Sequence, residues 1–255
     1  MRALVLSAGG MFGAWQAGAW TALSGRFRPD AIAGASAGAL NGWMIAGGAT
    51  PAEIAGHWLD ASMAGIMQAR VPWVPWRGVF NPRRLERLVR DLFDAYRPRV
   101  PFAAVLVEVP RLLPVLVRGE EMTWRHLLAT CAIPMGFPAV AIDGRRYVDG
   151  GLLGALPLWA AARLGATAAL ALDALPRMPS RLVRGVVGGA RRVAGPAPGP
   201  PPAEVAYLAP SRRLGGVRDA VTWDEARVRN WLALGARDGA ALLASATPVC
   251  RAVFD

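Results

Sequence analysis

Residues 31–44 read AIAGASAGALNGWM. The first five, AIAGA (31–35), are a short apolar run that stops at small residues, as a buried parallel strand does. A helix is expected from Ala37 to the glycine pair Gly47–Gly48. Between them lies Gly34-Ala35-Ser36-Ala37-Gly38, a G-x-S-x-G segment. Such pentapeptides are common by chance, and this one gains its meaning from the strand-to-helix setting. A serine at that sharp bend is pushed out of the sheet edge, and Gly34 and Gly38 let the backbone turn tightly around it. Its hydroxyl then faces a helix N-terminus, whose partial positive charge stabilises a developing alkoxide or oxyanion. Two readings of Ser36 follow: a nucleophile, or a residue that merely caps the helix.

Upstream, ALVLS (3–7) is another buried-strand run, and Trp15, Ala19 and Leu23 give residues 13–24 helical spacing. Strands alternating with helices imply a parallel sheet covered on both faces. The turn between them, SAGGMFGAWQAG (7–18), is rich in glycine. The amides of Gly9, Gly10 and Met11 could form a nest for an anion, either a phosphate or a catalytic oxyanion. Ala8-x-Gly10-x-x-Gly13 is a degenerate dinucleotide fingerprint with Asp30 about twenty residues on. That acid should end the second strand, yet Asp30 precedes AIAGA, which sets the geometry against a nucleotide.

A nucleophilic serine needs a base, usually a histidine held by a carboxylate. The chain has two histidines, His57 and His126, each inside a helical stretch of its own. No histidine follows residue 126, where the common serine-acid-histidine order would place one. The remaining option is a carboxylate acting directly. FPAVAIDGRRYVDGG (137–151) reads as a hairpin around Asp143–Gly144, and Asp149 ends its second strand. Gly150 and Gly151 beyond it permit close backbone approach. Asp149 is thus either the base or a second turn aspartate like Asp143.

The remaining chain continues the alternation. Helices are expected over 51–67, 81–96, 123–131, 156–164 and 222–245, and strands over 100–109, 111–117, 166–173 and 205–210. Pro114 pushes the strand over 111–117 towards a sheet edge. Residues 176–203 combine arginines with GPAPGPPPA and read as an exposed, mobile loop. With 255 residues, 54% hydrophobic and 18% charged, the chain is expected to form one three-layer α/β/α domain with a mainly parallel central sheet, not a disordered polymer. All 29 basic residues are arginine, so Walker loops, Schiff-base lysines and lysine bases are excluded. The net charge of +11 has no nucleic-acid motif behind it. The two cysteines, Cys131 and Cys250, favour free thiols and a reducing, cytoplasmic setting. No apolar run is long enough to span a membrane, and the apolar stretch after Arg2 is too short for a signal peptide.

Taken together, LSAGGMFGAWQAG, GASAG and CAIPMGFPAVAIDGRRYVDGG followed by LLGALPL resemble the patatin-like phospholipases in order and separation. WLALGARDGA also looks like that family's closing helix. The resemblance implies Ser36 as nucleophile, Asp149 as base in a Ser–Asp dyad, and the turn at Gly9, Gly10 and Met11 as oxyanion hole, with Ala37 as a further donor. Gly13, Gly34, Gly38, Gly150 and Gly151 support these motifs, and neither metal nor cofactor is implied. The expected reaction is hydrolysis of a lipid acyl ester. The other classes in view are a catalytically weak lipid- or partner-binding member and a nucleotide-binding protein. Two departures from the family turn stand out: Ala8 for its first glycine and Phe12 for its cation. An apolar Phe12 ring beside the oxyanion hole would favour uncharged acyl esters over anionic phospholipids. Trp73, Trp76 and Phe80 among Arg70 and Arg77, with Arg181, Arg184, Arg191 and Arg192, suggest peripheral contact with a lipid surface.

Overall fold

The computed structural model describes residues 1–69, 78–176, 181–245 and 253–254. Strands and helices alternate through the first part: β1 Arg2–Leu6, α1 Gly13–Leu23, β2 Ala31–Gly34, α2 Ala37–Ala46, α3 Pro51–Leu59, α4 Pro82–Ala95 and β3 Phe102–Val109. Next come β4 Leu113–Arg118, α5 Trp124–Thr130, β5 Val140–Ile142 and β6 Arg145–Asp149. The chain then runs through α6 Leu158–Arg163, β7 Ala168–Leu172, α7 Arg181–Ala194, β8 Glu204–Leu208, α8 Val217–Val221 and α9 Glu225–Ala244. The sheet order is β5-β6-β3-β2-β1-β7-β8, with β4 on the free side of β3. The β3-β2-β1-β7-β8 core is parallel, and β4, β6 and β5 pair antiparallel. This is the expected mainly parallel α/β sheet with helices on both faces, and Pro114 sits in β4, at an edge as anticipated.

The strands are lopsided. Ala3 and Val5 of β1, Ala31 and Ala33 of β2, and Ala169 of β7 face Ala160 and Ala161 of α6. The alternate residues, Leu4, Leu6, Ile32, Leu170 and Leu172, face α1, α2 and α9, where Trp15, Trp43 and Phe27 fill the core. A period of two thus sorts small and bulky side chains onto opposite faces.

One register decides where chemistry can occur. β4 pairs with β3 over 103–108, so β2 (at 102–104) and β6 (at 106–109) must both lie on the other edge of β3. β2 runs parallel to β3 and ends at Gly34 opposite Ala104; β6 runs antiparallel and ends at Asp149 opposite Leu106. The two strands therefore meet end to end at Val105, and whatever follows Gly34 faces Asp149.

Two expectations need correction. The helix expected over 51–67 stops at Leu59, because the Asp60 side chain accepts from the Ser62 amide and starts a separate 3-10 turn, Ala61–Gly65. The loop expected over 176–203 contains the 14-residue helix α7. Its glycines and the prolines that follow suggested loop, but Leu182, Val183, Val186, Val187, Ala190 and Val193 recur at helical spacing before the first of those prolines. The helix is the crossover that joins parallel β7 to β8. Trp73, Trp76, Arg70, Arg77 and Cys250 lie outside the described residues, whereas Phe80 is half-buried against Phe137.

Candidate active site

Ser36 follows the end of β2 with φ 54° and ψ −131°, a conformation that strains a residue with a side chain. Three contacts hold it. The Ala35 amide donates to the Leu6 carbonyl at 3.2 Å. The Ser36 amide donates to Thr130 Oγ1 at 3.0 Å, and that hydroxyl donates onward to the Val105 carbonyl at 2.8 Å. A Cβ on Gly38 would collide with the carbonyls of Leu6 and Ser7, and one on Gly34 would lie 2.6 Å from the Gly38 oxygen. Ser36 stands at the N-cap of α2, yet its side chain makes no capping hydrogen bond. The hydroxyl instead lies on the side of the Asp149 carboxylate, close enough to lower that group's pKa. The capping reading of Ser36 therefore does not hold.

Asp149 ends β6, is 5% exposed, and accepts from the Gly151 amide at 2.7 Å. Burial pushes its carboxyl from the ordinary 3.8 up to about 6, and the Ser36 hydroxyl and the bond from Gly151 oppose that rise. Gly150 must be glycine, since a Cβ there would strike the Val105 carbonyl. Gly151 lies against Ala8, where a Cβ would come within 2.7 Å of the alanine methyl, so the hairpin end abuts the glycine turn.

In that turn, Gly9 has φ −173° and ψ −6°, and Gly10 has φ 55°. A side chain at position 10 would strike the Ala220 carbonyl as well as being strained. Ala8 does not have a positive φ, so it replaces a glycine without strain. Ala8 donates to the Ala155 carbonyl at 2.8 Å and Phe12 to Gly9 at 3.2 Å. Among the described residues, the amides of Gly9, Gly10, Met11 and Ala37 have no such partner. Gly10, Met11 and Ala37 border the same cleft as Ser36, whereas Gly9 lies behind them against Ala174. Gly13 lets the Trp58 ring lie directly on the first turn of α1.

The Phe12 expectation is overturned. Its ring is 1% exposed and packs edge-on against Trp231 of α9, with centroids 5.2 Å apart. The 3-10 turn at Gly10–Phe12 rolls the side chain into the core, away from any ligand at the free amides. The histidines are also elsewhere. His57 lies beside Trp58, where burial lowers its pKa. His126 Nδ1 accepts from the Thr123 amide at 3.2 Å as part of the cap of α5. Among the described residues, neither imidazole has a hydrogen bond to Ser36 or Asp149. Asp30 accepts from the Arg2 amide at 2.7 Å, at the strand ends remote from the glycine turn, so it cannot serve a ribose there.

A narrow apolar cleft of about 40 Å³ leads from Ser36, walled by Leu40, Trp58, Met63, Met67, Leu85 and Ile133. The thioethers are adaptable, so the cleft can widen without breaking a polar contact. Trp58 is fixed through its Nε1, which donates to Asn41 Oδ1 at 2.9 Å; Asn41 in turn donates to Gln16 Oε1 at 3.2 Å and Gly13 O at 2.9 Å. Cys131 also borders the cleft, but burial raises its thiol well above the ordinary value and makes it a poor thiolate. Sequence reasoning missed Thr130 and the Gln16–Asn41–Trp58 chain. Only the helix-like spacing of Gln16 and Asn41 from the glycine motifs could have hinted at them.

The model of a family described as patatin-like phospholipase matches residues 4–162, from β1 through α6. No curated protein matches the chain. Among solved structures, VipD from Legionella pneumophila is similar with a TM-score of 0.54 and 14% identity, over 95% of this chain and 66% of that one. The type III effector protein ExoU aligns with a TM-score of 0.41 and 12% identity, over 94% of this chain and 52% of that one. The chain thus spans just under two thirds of the length of VipD and about half of ExoU. The VipD likeness is one of fold.

Proposed function

Because the chain belongs to the patatin-like phospholipase family, whose members are generally lipid acyl hydrolases, we propose that it is a serine acyl-ester hydrolase working through a Ser36–Asp149 dyad. The observation that carries this reading is the meeting of the Ser36 hydroxyl with a buried carboxylate at the β2–β6 junction. A carboxyl held at about 6 is ionised at neutral pH and remains basic enough to take a proton from the attacking hydroxyl. Asp149 takes that proton as Ser36 Oγ attacks the ester carbonyl. The oxyanion is received by the free amides of Gly10, Met11 and Ala37, with Gly9 behind them. Asp149 returns the proton to the departing alcohol, leaving an acyl-Ser36 intermediate. Water then attacks that ester as Asp149 accepts its proton, and the fatty acid leaves with Ser36 restored. The acyl chain lies in the cleft beyond Leu40 and Trp58, which offers it methyl, thioether and indole surface.

The test is labelling with a fluorophosphonate probe together with hydrolysis of p-nitrophenyl esters. Wild type should be labelled and active, and Ser36→Ala should lose both while keeping its circular dichroism. The double variant His57→Gln, His126→Gln should keep at least half the activity, since neither imidazole meets the dyad. An unlabelled, inactive wild type, or an active Ser36→Ala, would overturn the assignment. No helix of the described residues is long and apolar enough to cross a membrane.

A further inference from the structure

We infer that the protein carries a second ligand site, on the opposite face of the sheet from the cleft, shaped for one long-chain carboxylate. A cavity of about 340 Å³ opens between the C-terminal end of α7 with residues 194–198 and the segment from Leu153 to Trp159. That size falls in the range of about 300–1,000 Å³ usual for small-ligand sites. Its floor is Val105 and Gly150, and Val105 belongs to the small-residue face that packs on α6.

The chemistry of the walls is restricted. Leu153, Leu156, Trp159 and Pro114 are apolar, and Arg191 is the one charged side chain among the lining residues. Its Nε donates to the Leu153 carbonyl at 2.6 Å, and one Nη lies over Gly154, where a Cβ would come within 3.0 Å. The guanidinium is therefore fixed at the rim by one of its donors, with the Nη1–Nη2 edge still free. Among the described residues, no carboxylate is ion-paired with it. A free two-donor edge matches the two oxygens of a carboxylate. The largely apolar walls beyond it match an alkyl tail, and no other charged side chain lines them. A fatty acid has this form. That it is also what the enzyme releases rests on the hydrolase reading, whereas the fit to the cavity does not.

The experiment uses the full chain with Ser36→Ala, so that nothing turns over, titrated calorimetrically with laurate below its micellar concentration and with methyl laurate. Laurate should bind at one site and methyl laurate at least about tenfold more weakly, because the ester lacks the charge. Arg191→Met should weaken laurate by at least about tenfold with unchanged circular dichroism. Ala194→Phe, which fills the cavity with a ring, should do the same. Leu40→Trp, which narrows the cleft beside Ser36, should leave laurate binding intact. Absence of binding, or binding that Leu40→Trp abolishes and Arg191→Met spares, would overturn the second site. None of these readings needs catalysis, so an inactive wild type would sink the hydrolase without touching this result.

Discussion

Glycine has opposite consequences in two regions of this molecule. Around the junction of β2 and β6, Gly34, Gly38 and Gly150 each lie where a Cβ would run into backbone carbonyl or amide atoms. In α7, Gly185, Gly188 and Gly189 have nothing within 4 Å of that position. In the first region the missing side chain is what allows three backbone segments to converge on Ser36 and Asp149. In the second it contributes only backbone freedom, which weakens a helix. The junction is therefore over-determined by packing and holds a strained serine and a buried carboxylate, while α7 stands over a cavity with spare room.

The largest expected effect tests the strain in the first region. Asp149→Asn should lower ester hydrolysis by about 10²–10⁴, the usual contribution of a positioned base. The same change should make the protein more stable at pH 8. Burial raises the folded-state pKa from 3.8 to about 6, so the folded protein binds this proton more tightly than the unfolded chain. Stability from this group is fully present below pH 3.8 and is lost as pH rises to about 6, on the order of 3 kcal/mol in all. Asparagine removes that loss and can still accept from Gly151. Urea denaturation at pH 4 and pH 8 checks it, with the gain appearing only at the higher pH. The hydrolysis rate of wild type should rise about tenfold per pH unit up to about 6 and then level. A pH-independent stability difference would mean that Asp149 is not held against its burial.

The next effect is geometric. Gly38→Ala places a methyl against the carbonyls of Leu6 and Ser7 and so tilts the start of α2. Displacement of the reacting group by about 1 Å can lower a rate about a hundredfold, and a loss of that order is expected in kcat/KM for p-nitrophenyl butyrate. A rate within twofold of wild type would show that the junction tolerates what its packing forbids, and the contrast with α7 would fail.

These positions were unequally legible in the sequence. Ser36 could be read locally, because strand, bend and helix are adjacent in the chain. Asp149 could not: its local pattern suits a turn residue equally well, and its place beside Ser36 comes from the pairing of β2 and β6 to one edge of β3, which joins residues over a hundred positions apart. Thr130 was invisible for the same reason, since its hydroxyl matters only because α5 ends beside Val105. Motif position alone does not fix the orientation of Phe12, whose ring the 3-10 turn directs at Trp231. Over residues 181–194 the glycines and the prolines beyond them mask the helical spacing of the valines. Nothing in composition separates a glycine that must be there from one that need not be.

That last distinction gives the smallest effect and the closest control on the comparison. Gly188 lies inside α7 without a positive φ and with open space around the missing Cβ. Alanine there should stabilise the helix by about 0.5–1 kcal/mol, through restricted backbone freedom in the unfolded chain and better helix propensity. For a chain of this size that corresponds to about 1–4 °C in Tm. Hydrolysis should not change, since α7 contributes no side chain to the dyad or the cleft. The same substitution, glycine to alanine, thus raises stability at position 188 and removes activity at position 38. Thermal denaturation and amide exchange in 181–194 give the measurement. A lowered Tm would mean that α7 is packed as tightly as the junction. A Tm unchanged alongside slower exchange would place the gain in local opening of α7, which still fits a helix held at its C-terminal end by Arg191 on Leu153.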